Sequence, residues 1–325
     1  MLPWQKTNWN KLTSSHRNKH LAHALLLTGT KGTGKRQFAL DFAHWLICEH
    51  PQEDKACGTC RSCQLIKADS HPDFITVMPE DEGKAIKVDQ IRALIDTLSL
   101  TSHAQGARVV IISPADALNT NASNSLLKTL EEPPENTFLI LISDMPSKLM
   151  ATIRSRTQIV RFDLPAEEES LSWLKQKELE QPELLLKLSG NAPLAALELA
   201  SEDGLALRQS YFLDWQQLAE GSVDAIDIAS RWSKEGLKIK ANRPLYWVYS
   251  WVLDMIKGQQ TGHTSCMANS DYAQVLQKLA GQVDLKSLYG LLDRLNESIR
   301  MLDSAANQQM LAEGILLHWA GLKRS

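Results

Sequence analysis

Two short stretches carry residue types that could do chemistry. The first, TGTKGTGKRQ from Thr28, sets Gly29, Gly32 and Gly34 ahead of Lys35. That spacing follows G-x-x-x-x-G-K, the pattern of a phosphate-binding loop whose backbone amides and lysine gather around phosphate oxygens. The pattern asks next for Ser or Thr, to hold magnesium, and Arg36 stands there instead. A guanidinium offers donors and no acceptor, so it does not ligate a cation. The second stretch, ICEHPQEDKACGTCRSCQLI, holds Cys48, Cys57, Cys60 and Cys63. Two C-x-x-C steps share Cys60, with Gly58 in the tight turn between ligands. Four thiolates at about 2.3 Å around Zn²⁺ make a closed structural site with no open coordination position. His44, His50 and His71 are alternative single ligands; Cys48 is preferred because it completes an all-sulfur set. Four reduced thiols or a redox pair is the competing reading. Cys266 has no partner in sequence and reads as a free thiol.

Both stretches need elements to position them. Ala24–Leu27, Phe74–Met78, Val109–Ile112, Phe138–Ile142 and Ile159–Phe162 are short apolar runs that predict buried strands. Between them lie helical patterns over Arg36–Cys48, Val88–Leu100 and Asn121–Glu131. Such alternation predicts an α/β fold with a parallel sheet covered by helices on both faces. The strand ALLLTG running into the glycines, and KRQFALDFAHWL after them, supply the strand–loop–helix setting that a phosphate loop requires. Leu164-Pro165 closes this block. Ala166 to about Ala200 is helical and short. From Ser201 onward segments such as LYWVYSWVLDMI and QMLAEGILLHWAGL keep helical spacing. The expected domains are therefore 1–163, an α/β unit with a metal-binding insert at 48–63; 164–205, a small helical domain; and 206–325, all helical. Gly258–Ser270 reads as a mobile polar loop, and most tryptophans read as core.

A phosphate-loop ATPase also needs an acid at the end of another strand to hold the metal. The candidate strand, RVVIIS, ends in Ser113-Pro114, which carry no carboxylate, and Asp116 is expected to lie beyond reach. Two separate losses, at Arg36 and at Ser113-Pro114, argue against metal-assisted hydrolysis in this chain's own pocket.

The stretch NSLLKTLEEPPENTFLI, Asn124–Ile140, resembles the signature of the bacterial clamp-loader ATPase (AAA+) family. Motor subunits of that family carry Asp-Glu where this chain has Ser113-Pro114. The family's Ser-Arg-Cys motif reads Ser155-Arg156-Thr157 here. Taken together, the chain is similar to the delta-prime branch of the family, most specifically between residues 24 and 163. The resemblance implies an AAA+ domain, a helical lid at 164–205 and a helical collar at 206–325 that joins five subunits. It implies that Arg156 acts as a finger in a neighbouring subunit's ATP site, with Arg154 and Arg161 as nearby competitors. It implies zinc at the cysteines, and a vestigial nucleotide site at Gly29, Gly32, Gly34 and Lys35 with weak or absent ATP binding. Motor subunits offer an arginine from the second domain; Pro193 or Leu194 stands at that place. The implied partners are the gamma/tau motor subunits and a delta subunit in a heteropentamer, the sliding clamp, and primer–template DNA inside the complex.

Bulk properties fit this picture. The 325 residues carry a net charge of −3, with 43% hydrophobic and 22% charged residues, so the total does not direct the chain to DNA or membrane. No apolar run reaches the roughly 18 residues of a membrane helix, and MLPWQKTNWN has no signal-peptide core. A cytoplasmic location is expected. Lys11–His20 is the densest basic stretch, a phosphate contact or, as favoured, a solvated face. Three functions compete: a non-hydrolysing clamp-loader subunit, favoured; a weakly active ATPase motor of the same family, which needs an acid near Ser113; and a stand-alone zinc-bearing nucleic-acid-binding protein.

Overall fold

The structure, a computed structural model, describes all residues except 82, 100–105, 202–203, 237–242, 303–306 and 323–325, and omits the side chains of 234–236 and 243. The chain divides into two compact units, Met1–Ser170 and Leu171–Ser325.

The first unit runs α1 (Lys6–Arg17), β1 (Ala24–Gly29), α2 (Lys35–Ile47), α3 (Arg61–Lys67), β2 (Phe74–Val77), α4 (Val88–Ser99), β3 (Arg108–Ile112), α5 (Thr120–Glu131), β4 (Thr137–Ser143), α6 (Ala151–Arg154) and β5 (Gln158–Phe162). All five expected strands are present, each pairs only in parallel, and the order is β2-β3-β4-β1-β5. Leu100, the expected end of the helix from Val88, lies outside the described residues.

Strand residues alternate between two cores, as the period of two dictates. Leu25, Leu27, Val109, Ile111, Ile140 and Ile142 pack with Trp9, Phe38, Phe42 and Trp45 from α1 and α2. Leu26, Val110, Ile112, Leu139 and Leu141 pack with Ile91, Leu94, Leu98, Leu126 and Leu130 from α4 and α5. Because both faces are covered, the inner strands are apolar along their middles, with polar residues only at their ends, whereas edge strand β5 leaves Ile159 49% exposed. At the N-terminal end of β3, the buried Arg108 guanidinium donates to Asp73 (3.0 Å) and to the Leu98 carbonyl (2.9 Å). Helix starts follow local chemistry: the Asn119 side chain accepts from the Ala122 N–H (2.8 Å) ahead of α5, and Cys60 caps α3 by accepting from the Cys63 N–H.

Helix α7 (Glu167–Lys175) spans the boundary between the units. The second unit then contains α8 (Pro182–Leu188), α9 (Pro193–Ser201), α10 (Gly204–Ala219), α11 (Ala225–Gly236), α12 (Arg243–Thr261), α13 (Ala273–Ala280), α14 (Leu285–Met301) and α15 (Gln308–Gly321). Leu174, Leu185, Leu186, Ala196 and Leu199 form one small cluster, and α10–α15 build a larger one. The larger core is aromatic: Trp215 stacks on Trp319 (centroids 4.2 Å apart) and Phe212 on Tyr272 (3.7 Å).

Gly258–Ser270 differs from the mobile polar loop expected of it. Helix α12 continues to Thr261, and beyond it Met267 and Asn269 are buried. The Asn269 N–H donates to Asp254 (2.8 Å), and fully buried Arg208 donates to both Asn269 and Asp271 (2.6 Å each). Polar side chains here bond to one another at the edge of the core, with Arg208 Nε left unpartnered, an arrangement a hydropathy pattern does not reveal. Among the described residues no helix is long and apolar enough to cross a membrane.

One residue tests the centre of the sheet. Gly29 has φ +144°, and a Cβ built there would stand 2.1 Å from the Phe162 carbonyl oxygen of β5. Gly29→Ala is expected to cost about 3 kcal/mol, combining a glycine-only backbone region with overpacking, read from the urea midpoint.

Candidate functional site

The carboxyl ends of β1, β3 and β4 meet along one edge of the sheet, where ligands of open parallel sheets bind. The phosphate loop leaves β1 at Gly29 and enters α2 at Lys35, with Gly32 and Gly34 both in the left-handed region. The strand–loop–helix setting is thus in place. The loop is also clasped from outside. Trp4 donates its indole N–H to the Thr33 carbonyl (2.9 Å), and fully buried Gln5 donates to the carbonyls of Thr33 (3.2 Å) and Gly34 (2.9 Å).

Lys35 is not open to solvent. Its side chain is 3% exposed, and its ammonium donates to the carbonyls of Gly29 (2.7 Å) and Thr30 (2.8 Å) and pairs with Asp144 at 2.6 Å. Arg36 turns toward β2, donating to the Met78 sulfur (3.1 Å). Ser113 sits at the end of β3, its N–H bound to the Val77 carbonyl (3.0 Å). Asp116 lies closer to this edge than its place in sequence suggests. Its carboxylate accepts from the Ser143 hydroxyl (2.5 Å) and the Asp144 N–H (3.2 Å), and so fixes the turn that carries Lys35's partner. Sequence reasoning missed Asp144; the only signal was an acid directly after the apolar run FLILIS.

Arg156 lies between α6 and β5 with its side chain 35% exposed. Its Nε and Nη2 both reach Glu131 Oε1, at 2.7 and 2.5 Å, and Nη1 donates to the Thr152 carbonyl (3.1 Å) and weakly to the Ser155 hydroxyl (3.5 Å). Glu131, from the end of α5, is a second residue whose role the sequence did not disclose. Arg154 and Arg161 are exposed, and Pro193 opens α9 in the second unit. Along Lys11–His20, Lys11, Arg17, Lys19 and His20 are exposed while Leu12 and Thr13 are buried.

The four cysteines converge. Cys48 ends α2, Cys60 caps α3, Cys63 lies in its first turn, and all four sulfurs are within 4.8 Å of one another. Three separations are 3.6, 3.9 and 3.9 Å, against about 3.8 Å for a tetrahedron of sulfurs 2.3 Å from a metal. Backbone N–H groups of Cys57, Cys60 and Cys63 point at sulfurs of the set, at 3.2 to 3.4 Å. N–H donors of Thr59 and Cys60 hold the Cys57 thiol down to about 5, while burial pushes the Cys48 and Cys63 thiols up. Two desolvated thiols beside a ready thiolate are suited to a cation that stabilises sulfur charge. The donor set therefore fits a soft, tetrahedral metal ion.

The histidines go elsewhere. His44 packs edge-on against Phe74, His50 is exposed, and His71 accepts the Asp73 N–H (3.1 Å). The knuckle is tied to the first unit's core. Trp45 and Trp9 donate their indole N–H groups to the carbonyls of Gln52 (2.7 Å) and Glu53 (3.2 Å), and Glu49 accepts from the Ser62 N–H and hydroxyl (3.1 Å each).

Comparison with known proteins agrees with this architecture. Residues 4–166 match the family described as "DNA polymerase III, delta subunit", and residues 202–321 match "DNA polymerase III, delta subunit, C terminal". The DNA polymerase III subunit delta' of Pseudomonas aeruginosa is 36% identical, covering 98% of this chain and 97% of the relative. The subunit of the same name from Escherichia coli K12 is 31% identical over 97% of this chain and 94% of the relative. Among solved structures, a DNA polymerase III gamma subunit-related protein from Thermotoga maritima is similar in fold, with a TM-score of 0.50, 19% identity and coverage of 94% and 98% of the two chains.

Elemental analysis is expected to find one metal ion per chain. Cys63→Ser is expected to lose it and to lower the melting temperature of the first unit, since ligand binding to the folded state is folding free energy.

Proposed function

Given that the chain belongs to the DNA polymerase III delta' family, we propose that it is the non-hydrolysing subunit of a clamp loader. In this reading Arg156 completes the ATP site of a neighbouring motor subunit, so that the sliding clamp is loaded onto primed DNA. The observation that carries the reading is the partly exposed Arg156, whose side-chain bonds go to Glu131, Thr152 and Ser155 and not to its own phosphate loop. A planar, permanently charged guanidinium stabilises the charge that spreads over a phosphoryl group in the transition state. Lending it across an interface makes hydrolysis depend on assembly.

The chain's own loop lacks what hydrolysis needs. Arg36 replaces the magnesium-holding hydroxyl and Ser113-Pro114 replace the acids. Asp116, the nearest acid in sequence, accepts hydrogen bonds from Ser143 and Asp144. This favours a subunit that supplies a cation over the second reading, a weakly active motor. Gly29, Gly32, Gly34 and Lys35 then form a vestigial nucleotide site in which ATP binding is weak or absent.

Partners in this reading are the gamma/tau motor subunits and a delta subunit in a heteropentamer, with the clamp and primer–template DNA, in the cytoplasm. Residues 164–205 serve as lid and 206–325 as collar. Cys48, Cys57, Cys60 and Cys63 hold zinc. When bound, the ion supplies a structural cross-link, and the cysteines' own part is to join the end of α2 to the start of α3.

Reconstitution with the motor subunits tests the proposal. Arg156→Ala is expected to lower ATP turnover at the neighbouring motor subunit's site by about 10³-fold, read as a fall in the turnover of the complex, while leaving assembly on size-exclusion chromatography intact. The isolated chain is expected to turn over no ATP; brisk hydrolysis by it, whatever stands at 156, would overturn the reading.

A further inference from the structure

We propose that Glu49 is a positioning residue for the metal, its bonds to Ser62 setting three of the four cysteine sulfurs against one another before an ion arrives. The inference rests on the metal reading of Cys48, Cys57, Cys60 and Cys63 and is independent of Arg156.

The ligands arrive on two pieces of chain. Cys48 ends α2, whereas Cys60 and Cys63 open α3. The connection over 49–59 contains no helix or strand, so it does not dictate how the two helix ends face each other. Helix α3 is only seven residues long and meets the first unit's core through Ile66. A helix that short is marginal alone and takes its placement from tertiary contacts.

Glu49 supplies such a contact at the place where it controls the sulfurs. It follows Cys48 directly, and Ser62 stands between Cys60 and Cys63. Its Oε1 accepts both the backbone N–H and the hydroxyl of Ser62, at 3.1 Å each. Apart from contacts between cysteine sulfurs, these two hydrogen bonds are what join the end of α2 to the start of α3 among the described residues. Ser62 is buried, so its donors have little water to turn to if the carboxylate is removed. Cys57 then follows Cys48, because its N–H donates to the Cys48 sulfur (3.2 Å) while Trp45 and Trp9 hold the carbonyls of Gln52 and Glu53.

The charge of Glu49 is not what the site uses. Four thiolates outweigh the two charges of a divalent ion, so the filled site is negative and repels a neighbouring carboxylate. What the side chain contributes is an acceptor oxygen at a fixed place. A carboxamide offers the same oxygen, which separates a geometric role from an electrostatic one.

The metal-free full-length chain, kept reduced, tests the idea by titration with Zn²⁺ against a chromophoric chelator. Co²⁺ is titrated in parallel, because its absorption reports tetrahedral thiolate coordination. Glu49→Ala is expected to weaken Zn²⁺ binding by at least about tenfold, as loss of outer-shell partners does elsewhere. Ser62→Ala loses one of the two bonds and is expected to weaken it by about threefold. Glu49→Gln is expected to bind as wild type does, and all four proteins to share one cobalt spectrum at saturation. Wild-type affinity in Glu49→Ala overturns the proposal, as does a loss in Glu49→Gln equal to that in Glu49→Ala. A carboxylate that served only the stability of α3 would lower the melting temperatures of metal-free and loaded protein equally and leave the chelator competition unchanged, which also overturns it. If Glu49→Ala does not fold, unchanged affinity in Ser62→Ala decides against the proposal. Wild type that takes up no metal overturns the metal reading and this inference together; loaded wild type with unaffected variants overturns this inference alone.

Discussion

Strand β1 is the constraint on which the first unit depends. It is paired on both sides, to β4 and β5, and its side chains enter both cores. A strand so enclosed pairs its backbone on both sides and favours apolar side chains along its length, hence the run Ala24-Leu-Leu-Leu. Its last residue, Gly29, passes within contact distance of β5 and turns the chain into the phosphate loop. Strand pairing, loop geometry and the start of α2 are therefore one feature. Its shape survives whether or not the loop retains a nucleotide, because the sheet needs it for its own closure.

The sequence disclosed those parts of the fold that depend on periodicity. The five strands stood out as apolar runs because both faces of a parallel sheet are covered, and the helices because their apolar residues repeat at helical spacing. The cysteine knuckle was legible for a different reason: its ligands are close in sequence, and only a few chemistries use that spacing. Pairings between distant positions were not legible. Lys35 meets Asp144, and Arg156 meets Glu131, through folding of the sheet edge, and no local pattern encodes either contact. The same holds in the second unit, where Arg208, Asn269 and Asp271 look like surface residues in sequence and are joined only by tertiary packing.

Two cations of the first unit contrast with each other. Lys35 is buried, with every donor occupied by its own fold. Arg156 is partly exposed, held by a single carboxylate that is itself about half exposed. A charge enclosed by fixed acceptors resists exchange of partner, whereas one at the boundary of solvent exchanges at little cost, since exposed ion pairs contribute little. The contrast between the two cations thus follows from burial, and not from residue type alone.

The stacked pair Trp215 and Trp319 has a consequence for the order in which this polypeptide acquires structure. The Trp319 indole N–H bonds to the Trp215 carbonyl across 104 positions, joining α10 to α15 at the centre of the larger helical core. During translation, the sheet is complete once β5 leaves the ribosome. The helical core has to wait, apolar faces uncovered, until nearly the whole remainder has emerged. The nascent chain thus carries a finished amino-terminal unit and an open carboxy-terminal one, and in that interval chaperones have most to protect.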